Sequence, residues 1–310
     1  MDSFSDVESR TRMSIAEKRA FQQICDRDGN ILVIALDQRN AMRELLSDKA
    51  EVRAQISSAD LGRVKANLVQ HLGNHAPAVL LDPECAFPLL IEAGILARDV
   101  GLVIGMDASG WDTKPNSSLR YSRLIPGIRA KTIRQLGGTA AKIMVFMRPD
   151  QEDRDRHARD ILAKCITDCE AEELLLVVEI LVYKLADESP EEYETKKPQL
   201  ILDSAVAAKE MGAKVLKLQY PGSAESCGLI TEALDRTPWA LLSAGADHET
   251  FLEQLRVSLQ SGAAGAIAGR ALWKDCLSLD PRIQQARLET LAVPRLNEIQ
   301  KVMQSSAGKL

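Results

Sequence analysis

The sequence predicts an α/β protein with a (β/α)₈ barrel. Eight short apolar runs recur along the 310 residues, and their almost continuous hydrophobicity is typical of parallel strands buried on both faces. Amphipathic stretches long enough for crossover helices lie between the runs, for example 152–168, 200–211 and 248–260. Eight strands that alternate with helices over about 250 residues indicate a closed barrel. The predicted strands are 31–36, 78–81, 102–106, 142–147, 174–180, 215–218, 239–242 and 264–268.

A doubly wound open sheet is the structural alternative to the barrel. No GxGxxG motif follows the first predicted strand, which argues against the common dinucleotide-binding form of that fold. No change of composition and no linker rich in Pro, Gly or Ser divides the chain. We therefore expect one domain over residues 1–310, with a short helical extension up to about residue 29.

The composition narrows the possible partners and the compartment. The net charge of −5 argues against a broad nucleic-acid surface, and no apolar run is long enough to span a membrane. Residues 1–12 lack the apolar segment of a secretory signal, and the six cysteines form no CxxC pair. We expect a cytoplasmic protein with no nucleic-acid or membrane partner. We also expect a homo-oligomer, because barrels of this size commonly associate.

The histidine pattern gives little support to a metal site. His71 and His75 have the spacing of one helix turn, but Gly73 and Asn74 between them indicate a helix end. Neither a third nearby histidine nor an HExxH motif accompanies them. The sequence therefore predicts neither a metal nor another cofactor.

Lys217 stands inside the apolar run VLKLQYP at 215–221 and is the first candidate for chemistry. Burial of an unpaired ammonium is costly, so this lysine is either paired or kept neutral. A neutral lysine amine is a nucleophile that forms a Schiff base with a carbonyl substrate. Lys142, at the start of its strand, is an alternative nucleophile or a cationic neighbour. Lys214 points to the opposite face, with its ammonium expected in solvent.

Carboxylates at the ends of other strands are candidates for proton transfer. Glu179 ends a run of Leu and Val, so desolvation is expected to raise its pKa. An ion pair with a lysine is the alternative for Glu179. Asp37 ends strand one and is either an acid or the partner of Arg39 or of a lysine. The roles of three other strand-end residues stay open: Glu84, Asp107 and Arg148.

Two glycine-containing strand ends predict an anion site. Ser243-Ala244-Gly245 and Gly269-Arg270 follow strands seven and eight, whose loops commonly bind phosphate in barrels through backbone N–H groups and a following helix N-terminus. Arg270 can grip a phosphate or sulfonate with two nitrogens. Ordinary tight turns are the alternative. Gln38 and Arg39, at the end of strand one, and Gly269 are also assigned to substrate binding.

Seven short segments of the sequence, taken together, resemble class I aldolases, in the branch of the tagatose 1,6-bisphosphate and sulfofructose phosphate aldolases. The resemblance runs in order from about residue 30 to the C-terminus. Its segments are ALDQR at 35–39, LLDPE at 80–84, AAKIMVF at 140–146, VVEIL at 177–181, VLKLQYP at 215–221, LLSAG at 241–245 and AGRALW at 268–273.

The resemblance implies a (β/α)₈ barrel that cleaves a phosphorylated ketose without a metal. Lys217 matches the Schiff-base lysine of the family and Glu179 its acid on strand five. The other matches are Asp37 as the strand-one carboxylate, Lys142 as a lysine in the site, and Ser243, Gly245 and Arg270 as phosphate contacts. Gln219 departs from the family, which usually has an acid two residues after the lysine.

The resemblance leaves more than one substrate and function open. GWD at 110–112 favours tagatose 1,6-bisphosphate, cleaved to dihydroxyacetone phosphate and an aldehyde phosphate. DQRNAM at 37–42 and the segment 147–156 resemble the sulfosugar branch, in which sulfofructose 1-phosphate gives dihydroxyacetone phosphate and sulfolactaldehyde. Gln219 is the one feature in favour of a non-catalytic sugar-phosphate sensor. A barrel isomerase or decarboxylase that shares only the phosphate site would not need Lys217.

Overall fold

The eight apolar runs form eight parallel strands in the computed structural model, which describes residues 12–115, 117–151 and 156–306. The strands follow one another in chain order, and β8 pairs with β1, so the sheet closes on itself. This closure confirms the single-domain (β/α)₈ barrel and excludes the open sheet. The strands are β1 Ile31–Ala35, β2 Ala78–Leu81, β3 Gly101–Gly105, β4 Ala140–Phe146, β5 Leu175–Leu181, β6 Val215–Leu218, β7 Trp239–Leu242 and β8 Gly265–Ala268.

Helices surround the barrel and follow the strands as crossover connections. Serine side chains cap several of them, and a capping box begins the 21-residue α8 at Ser189. The α-helices are α1 Ile15–Gln23, α2 Asn40–Leu46, α3 Ala50–Gln55, α4 Ser58–His71, α5 Phe87–Glu92, α6 Ala130–Gln135, α7 Arg156–Ala171, α8 Pro190–Glu210, α9 Ala224–Leu234, α10 His248–Gln260, α11 Arg270–Trp273, α12 Pro281–Arg287 and α13 Val293–Ser306. A 3₁₀ turn occupies Gly73–His75, and a π-helical turn occupies Leu288–Ala292.

The strands separate two apolar layers because successive side chains point to opposite faces. On β1, Ile31, Val33 and Ala35 pack inside the barrel with one or two residues from each of the other strands. Leu32 and Ile34 pack outside, in the larger cluster shared with the helices. Nearly continuous hydrophobicity in the sequence is the consequence, since both faces of every strand are covered.

The same alternation directs the charged residues of the sequence into the barrel. Asp37, Lys142, Glu179 and Lys217 each stand two residues after an interior apolar residue of their own strand. Asp107 has the same parity on β3. The strand register also makes Glu179 the direct lateral neighbour of Lys217. The interior is therefore apolar towards the N-terminal ends of the strands and charged towards their C-terminal ends.

Helix α1 packs against the N-terminal end of the barrel interior. Ala20 and Ile24 belong to the interior apolar cluster. Glu17 of the same helix accepts hydrogen bonds from Lys214 Nζ at 2.8 and 2.9 Å, and Lys214 is largely buried. The expectation that the Lys214 ammonium lies in solvent is therefore wrong. A carboxylate from a helix almost 200 positions earlier in the chain covers it.

A long excursion after β3, residues 107–124, forms what we call the rim hairpin. Two isolated antiparallel bridges join Asp107 to Leu124 and Asp112 to Tyr121. Leu119 of the hairpin packs into a small cluster with Phe146, Tyr183 and Leu185. Asn116 of this hairpin lies outside the described residues. The rim hairpin stands against the ends of β4 and β5.

Two predicted segments reach beyond the described residues. Residues 1–11 of the N-terminal extension lie outside them, and α1 occupies part of the remainder. Residues 152–155, which belong to the predicted helix 152–168 and to the segment 147–156, also lie outside them, and α7 begins at Arg156. None of the helices that the structure describes combines the length and the apolar character needed to cross a bilayer.

Arg148 joins the loops that follow β4 and β5. Its guanidinium is completely buried and donates to both carboxylate oxygens of Asp150 and of Glu188, and to the carbonyl oxygen of Tyr183. The hydrogen bonds from Arg148 hold the pKa of Glu188 at about 2. The role of Arg148, open from the sequence, is to tie two loops at the mouth of the barrel.

The hydrogen bonds between Arg148 and Glu188 predict a contribution to the free energy of unfolding that is lost in acid. Because the pKa of Glu188 is lower in the folded chain, its stabilising effect is complete above its ordinary pKa of about 4.5 and is lost as the pH falls towards 2. We expect Glu188→Gln to reduce the free energy of unfolding at pH 7 by about 1.5–3 kcal/mol. At pH 3 the difference between variant and wild type is smaller. Urea unfolding at both pH values measures it.

Glu194→Gln is the matched control for this experiment. Glu194 pairs with Lys197 at 3.4 Å but is 64% exposed, so its loss changes stability by less than about 1 kcal/mol. An equal loss in the two variants, or a Glu188→Gln effect independent of pH, contradicts the assignment.

Candidate active site

Glu179 lies between two lysines at the C-terminal end of the barrel interior. One carboxylate oxygen, Oε2, is 2.9 Å from Lys217 Nζ and 2.8 Å from Lys142 Nζ. All three side chains are buried, and Lys217 is only 4% exposed. The structure thus brings together the two lysines and the strand-five acid that the sequence singled out.

Lys142 is enclosed by carboxylates. In addition to Glu179, its Nζ donates to Asp37 Oδ2 at 2.9 Å and to Asp107 Oδ1 at 3.0 Å. Burial lowers the pKa of Lys142, but the three negative charges outweigh burial and hold that pKa well above its usual value. Lys142 is therefore a firmly held cation, whereas Glu179 is the one ion-pair partner of Lys217 among the described residues.

The three carboxylates respond differently to this surrounding. Burial alone would raise the pKa of Glu179. The charges of Lys142 and Lys217 lower it by a larger amount, so the net shift is downward. The expected rise for Glu179 is therefore wrong. The same two lysines overcome burial at Asp37 and lower its pKa to about 2. Burial, together with repulsion from Asp37 and Glu179, raises the pKa of Asp107 despite Lys142.

The loop after β7 has an unusual backbone beside Arg270. Ala244 and Gly245 have consecutive positive φ angles of 47° and 83°, in the left-handed region that non-glycine residues such as Ala244 rarely adopt. Lys274 Nζ donates to the carbonyl oxygen of Gly245 at 2.8 Å and holds the loop. A Cβ atom on Gly245 would stand 3.4 Å from the Arg270 guanidinium carbon.

This loop shares a small cavity with the lysine site. Ser243, Gly269 and Arg270 line it together with Lys217 and Glu179. Gly269 is close to β1, since a Cβ atom there would stand 3.2 Å from the Ala35 carbonyl oxygen. Helix α11, which follows Gly269, has only four residues. The predicted anion-site residues therefore lie beside Lys217, on the side of β7 and β8.

The two other residues assigned to substrate binding have different surroundings. Gln38 Nε2 donates to Asp37 at 3.1 Å, while its Oε1 is buried without a hydrogen-bond partner among the described residues. Arg39 donates from Nε to Ser109 at 2.9 Å, and its other nitrogens donate to Glu84 and to the Asp107 carbonyl oxygen. Arg39 thus joins the ends of β1, β2 and β3, and all its nitrogens are engaged.

Gln219, the departure from the aldolase pattern, lies just after β6. Its Oε1 accepts a hydrogen bond of 2.8 Å from the backbone N–H of Val182. The side chain therefore links the ends of β5 and β6, a bond that a carboxylate oxygen could also accept. The substitution keeps this link and removes a possible negative charge near Lys217.

Sequence reasoning left Asp107 without a role, although the structure places it against Lys142. The sequence did contain a signal for this position, because Asp107 has the parity of the interior residue Val103 and lies just after β3. Within the described residues no group of three or more His, Cys, Asp or Glu side chains is arranged to hold a metal ion.

Solved aldolase structures share the barrel. A fructose-bisphosphate aldolase from Slackia heliotrinireducens matches with a TM-score of 0.64 and 16% identity, over 99% of this chain and 92% of that one. An archaeal fructose 1,6-bisphosphate aldolase matches with a TM-score of 0.58 and 18% identity, over 89% of this chain and 98% of that one. At these identities the likeness concerns the fold.

Relatives with similar sequences carry a common name. A tagatose 1,6-diphosphate aldolase of Lactococcus lactis is 24% identical, over 94% of this chain and 96% of its own length. Tagatose 1,6-diphosphate aldolase 1 of Streptococcus mutans is 26% identical, over 94% and 97% respectively. The family model described as DeoC/LacD family aldolase matches residues 31–275, from the first strand to beyond the last. The chain therefore belongs to the DeoC/LacD family of aldolases.

Proposed function

We propose that the protein is a class I aldolase that cleaves a phosphorylated ketose through a Schiff base on Lys217. The observation that carries the proposal is the unequal position of the two interior lysines. Lys142 holds three carboxylates, whereas Lys217 shares one of them at 2.9 Å. Lys217 is therefore the lysine that can pass its proton to Glu179 and act as a free amine.

The first half of the reaction forms the imine. The Lys217 amine attacks the ketone carbon C2 to give a carbinolamine. Glu179 returns the proton that it took from Lys217 to the carbinolamine hydroxyl, which leaves as water. A protonated imine remains on Lys217. The cation of Lys142 beside it keeps Asp37 and Glu179 ionised, as the lowered pKa of each carboxyl indicates.

The second half breaks the carbon–carbon bond. Glu179 takes the proton of the C4 hydroxyl, the C3–C4 bond breaks, and its electron pair moves to the imine to give an enamine. An aldehyde leaves from the C4 side. Glu179 gives this proton to C3, and water hydrolyses the protonated imine to dihydroxyacetone phosphate and the Lys217 ammonium. A carboxylate base within reach of the reacting hydroxyl is what this step requires.

The phosphate of the dihydroxyacetone half is assigned to the β7 and β8 side. Consecutive positive φ angles at Ala244 and Gly245, the buried Ser243 and the Arg270 guanidinium support that assignment. Gln38 Oε1, buried and without a hydrogen-bond partner in the described part of the chain, is suited to accept a hydrogen bond from a substrate hydroxyl. The engaged nitrogens of Arg39 favour a role in holding the loops over direct phosphate contact.

Tagatose 1,6-bisphosphate is the favoured substrate, with dihydroxyacetone phosphate and an aldehyde phosphate as products. GWD at 110–112 and the names of the two bacterial relatives support it. Turnover of tagatose 1,6-bisphosphate and of sulfofructose 1-phosphate, each coupled to a triose-phosphate assay, separates the two alternatives.

Borohydride reduction tests the Schiff base. With dihydroxyacetone phosphate present, we expect a reduced adduct in the intact mass and, by peptide mapping, its location on Lys217. Lys217→Met should form no adduct and lose about 10³-fold or more of the cleavage rate, with its melting temperature as the check on folding. Lys131→Met, on the exposed side of α6, is the control and keeps both properties.

Two other results would contradict the assignment. An adduct on Lys142 would move the nucleophile to that residue. Binding of dihydroxyacetone phosphate without any adduct would favour the non-catalytic sensor.

A pair of glycine variants tests the phosphate position. Gly245 and Gly222 both have positive φ angles, of 83° and 103°, but only at Gly245 would a Cβ atom contact a neighbour, the Arg270 guanidinium. We expect both alanine variants to lose about 1–2 kcal/mol of stability from backbone strain. Only Gly245→Ala should weaken binding of dihydroxyacetone phosphate, by about tenfold, measured calorimetrically. Equal affinities in the two variants would place the phosphate elsewhere.

A further inference from the structure

Arg120 of the rim hairpin is held in a cage of three aromatic rings. Its guanidinium carbon lies 4.2 Å from the ring centre of Trp111, 4.7 Å from that of Tyr183 and 5.3 Å from that of Phe146. The Arg120 backbone N–H also donates to the Tyr183 hydroxyl at 2.9 Å. Both the main chain and the charged group of this residue are therefore held against the mouth of the barrel.

The charge of Arg120 lacks the compensation that its neighbours have. Arg39, Arg123 and Arg148 each pair with a carboxylate, whereas no oxygen among the described residues accepts a hydrogen bond from the Arg120 guanidinium. Ring stacking covers the faces of a guanidinium and leaves its N–H groups at the edge. Five such donors in a plane match the oxygens of a phosphate or sulfonate.

The cage stands across the barrel mouth from the first anion site. Phe146 ends β4 and Arg270 follows β8, and in a closed sheet of eight strands these two strands are opposite. Trp111 and Phe146, two of the three rings, line the same cavity as Arg270. Lys142 and Glu179 line that cavity too. Arg120, held by two rings that line this cavity, and Arg270 therefore stand on opposite sides of the lysine pair, and neither has an ion-pair partner among the described residues.

We propose that Arg120 is a specificity-determining residue that binds an anionic group, phosphate or sulfonate, at the aldehyde end of the ketose. The inference rests on the proposed function, because it takes the dihydroxyacetone phosphate half to lie at Arg270. Cleavage between C3 and C4 near Lys217 then directs the other half of the sugar towards β4, β5 and the rim hairpin. A substrate with one anion at each end spans the two arginines.

The test compares two substrates that differ only at the far end. Tagatose 1,6-bisphosphate carries a distal phosphate, and tagatose 1-phosphate carries a hydroxyl there. For Arg120→Met, which keeps an apolar contact with the rings, we expect kcat/KM to fall about 10- to 100-fold on the bisphosphate, mainly through KM. On the monophosphate, kcat/KM stays within about twofold of the wild type.

Two further variants separate charge from packing. Arg120→Lys keeps the charge without the planar grip and should recover part of the bisphosphate activity. Lys114→Met is the matched control, because Lys114 also lies over a ring, that of Tyr121 at 4.3 Å, on the same hairpin. Lys114→Met should leave kcat/KM unchanged on both substrates. Sulfofructose 1-phosphate as a third substrate tells whether sulfonate or phosphate is the preferred distal anion.

An equal loss on both substrates in Arg120→Met would overturn the inference and make Arg120 a support of the hairpin. A wild type that does not distinguish the distal anion, or an Arg120→Lys variant no better than Arg120→Met, would also overturn it. These outcomes leave the borohydride adduct on Lys217 intact. Loss of that adduct in the wild type would instead overturn the proposed function itself.

Discussion

The ion pair between Glu179 and the two interior lysines is the interaction on which the site depends. It exists because β5 and β6 pair with Glu179 directly beside Lys217. A shift of either strand by one residue would turn one of these side chains to the outer apolar layer. Removal of Glu179 would leave the buried Lys217 ammonium without its carboxylate partner, at a cost of about 3–5 kcal/mol. The pairing register of the strands therefore determines the electrostatics of the site.

Most of the barrel could be predicted from the sequence because its signal is local. A strand covered on both faces must be apolar over consecutive residues, so Val215–Leu218 or Trp239–Leu242 can be recognised without a partner. The parity of side chains then directs Lys217 inwards and Lys214 outwards. The predicted faces of the two lysines are correct. The predicted solvent exposure of Lys214 is wrong, because the sequence does not reveal that Glu17 lies beside it.

The rest of the site depends on distances that a sequence does not contain. Glu179 was expected to have a raised pKa because its local sequence is apolar, but two lysines within 3 Å reverse the sign. Arg39 was assigned to substrate binding from its place after β1, and the sequence does not reveal its contacts with Glu84 and Ser109, the latter 70 positions away. The cage around Arg120 likewise joins the rim hairpin to the ends of two strands.

The closure of one barrel end by α1 also constrains how reactants move. Ala20 and Ile24 pack against the interior apolar layer, and Glu17 covers Lys214. For chemistry at Lys217, this leaves the C-terminal mouth as the route for both sugar and water. In the proposed reaction, the water that hydrolyses the imine would have to enter through the passage by which the aldehyde departs. Product departure and hydrolysis would then be sequential, which would protect the intermediate while the aldehyde is still bound.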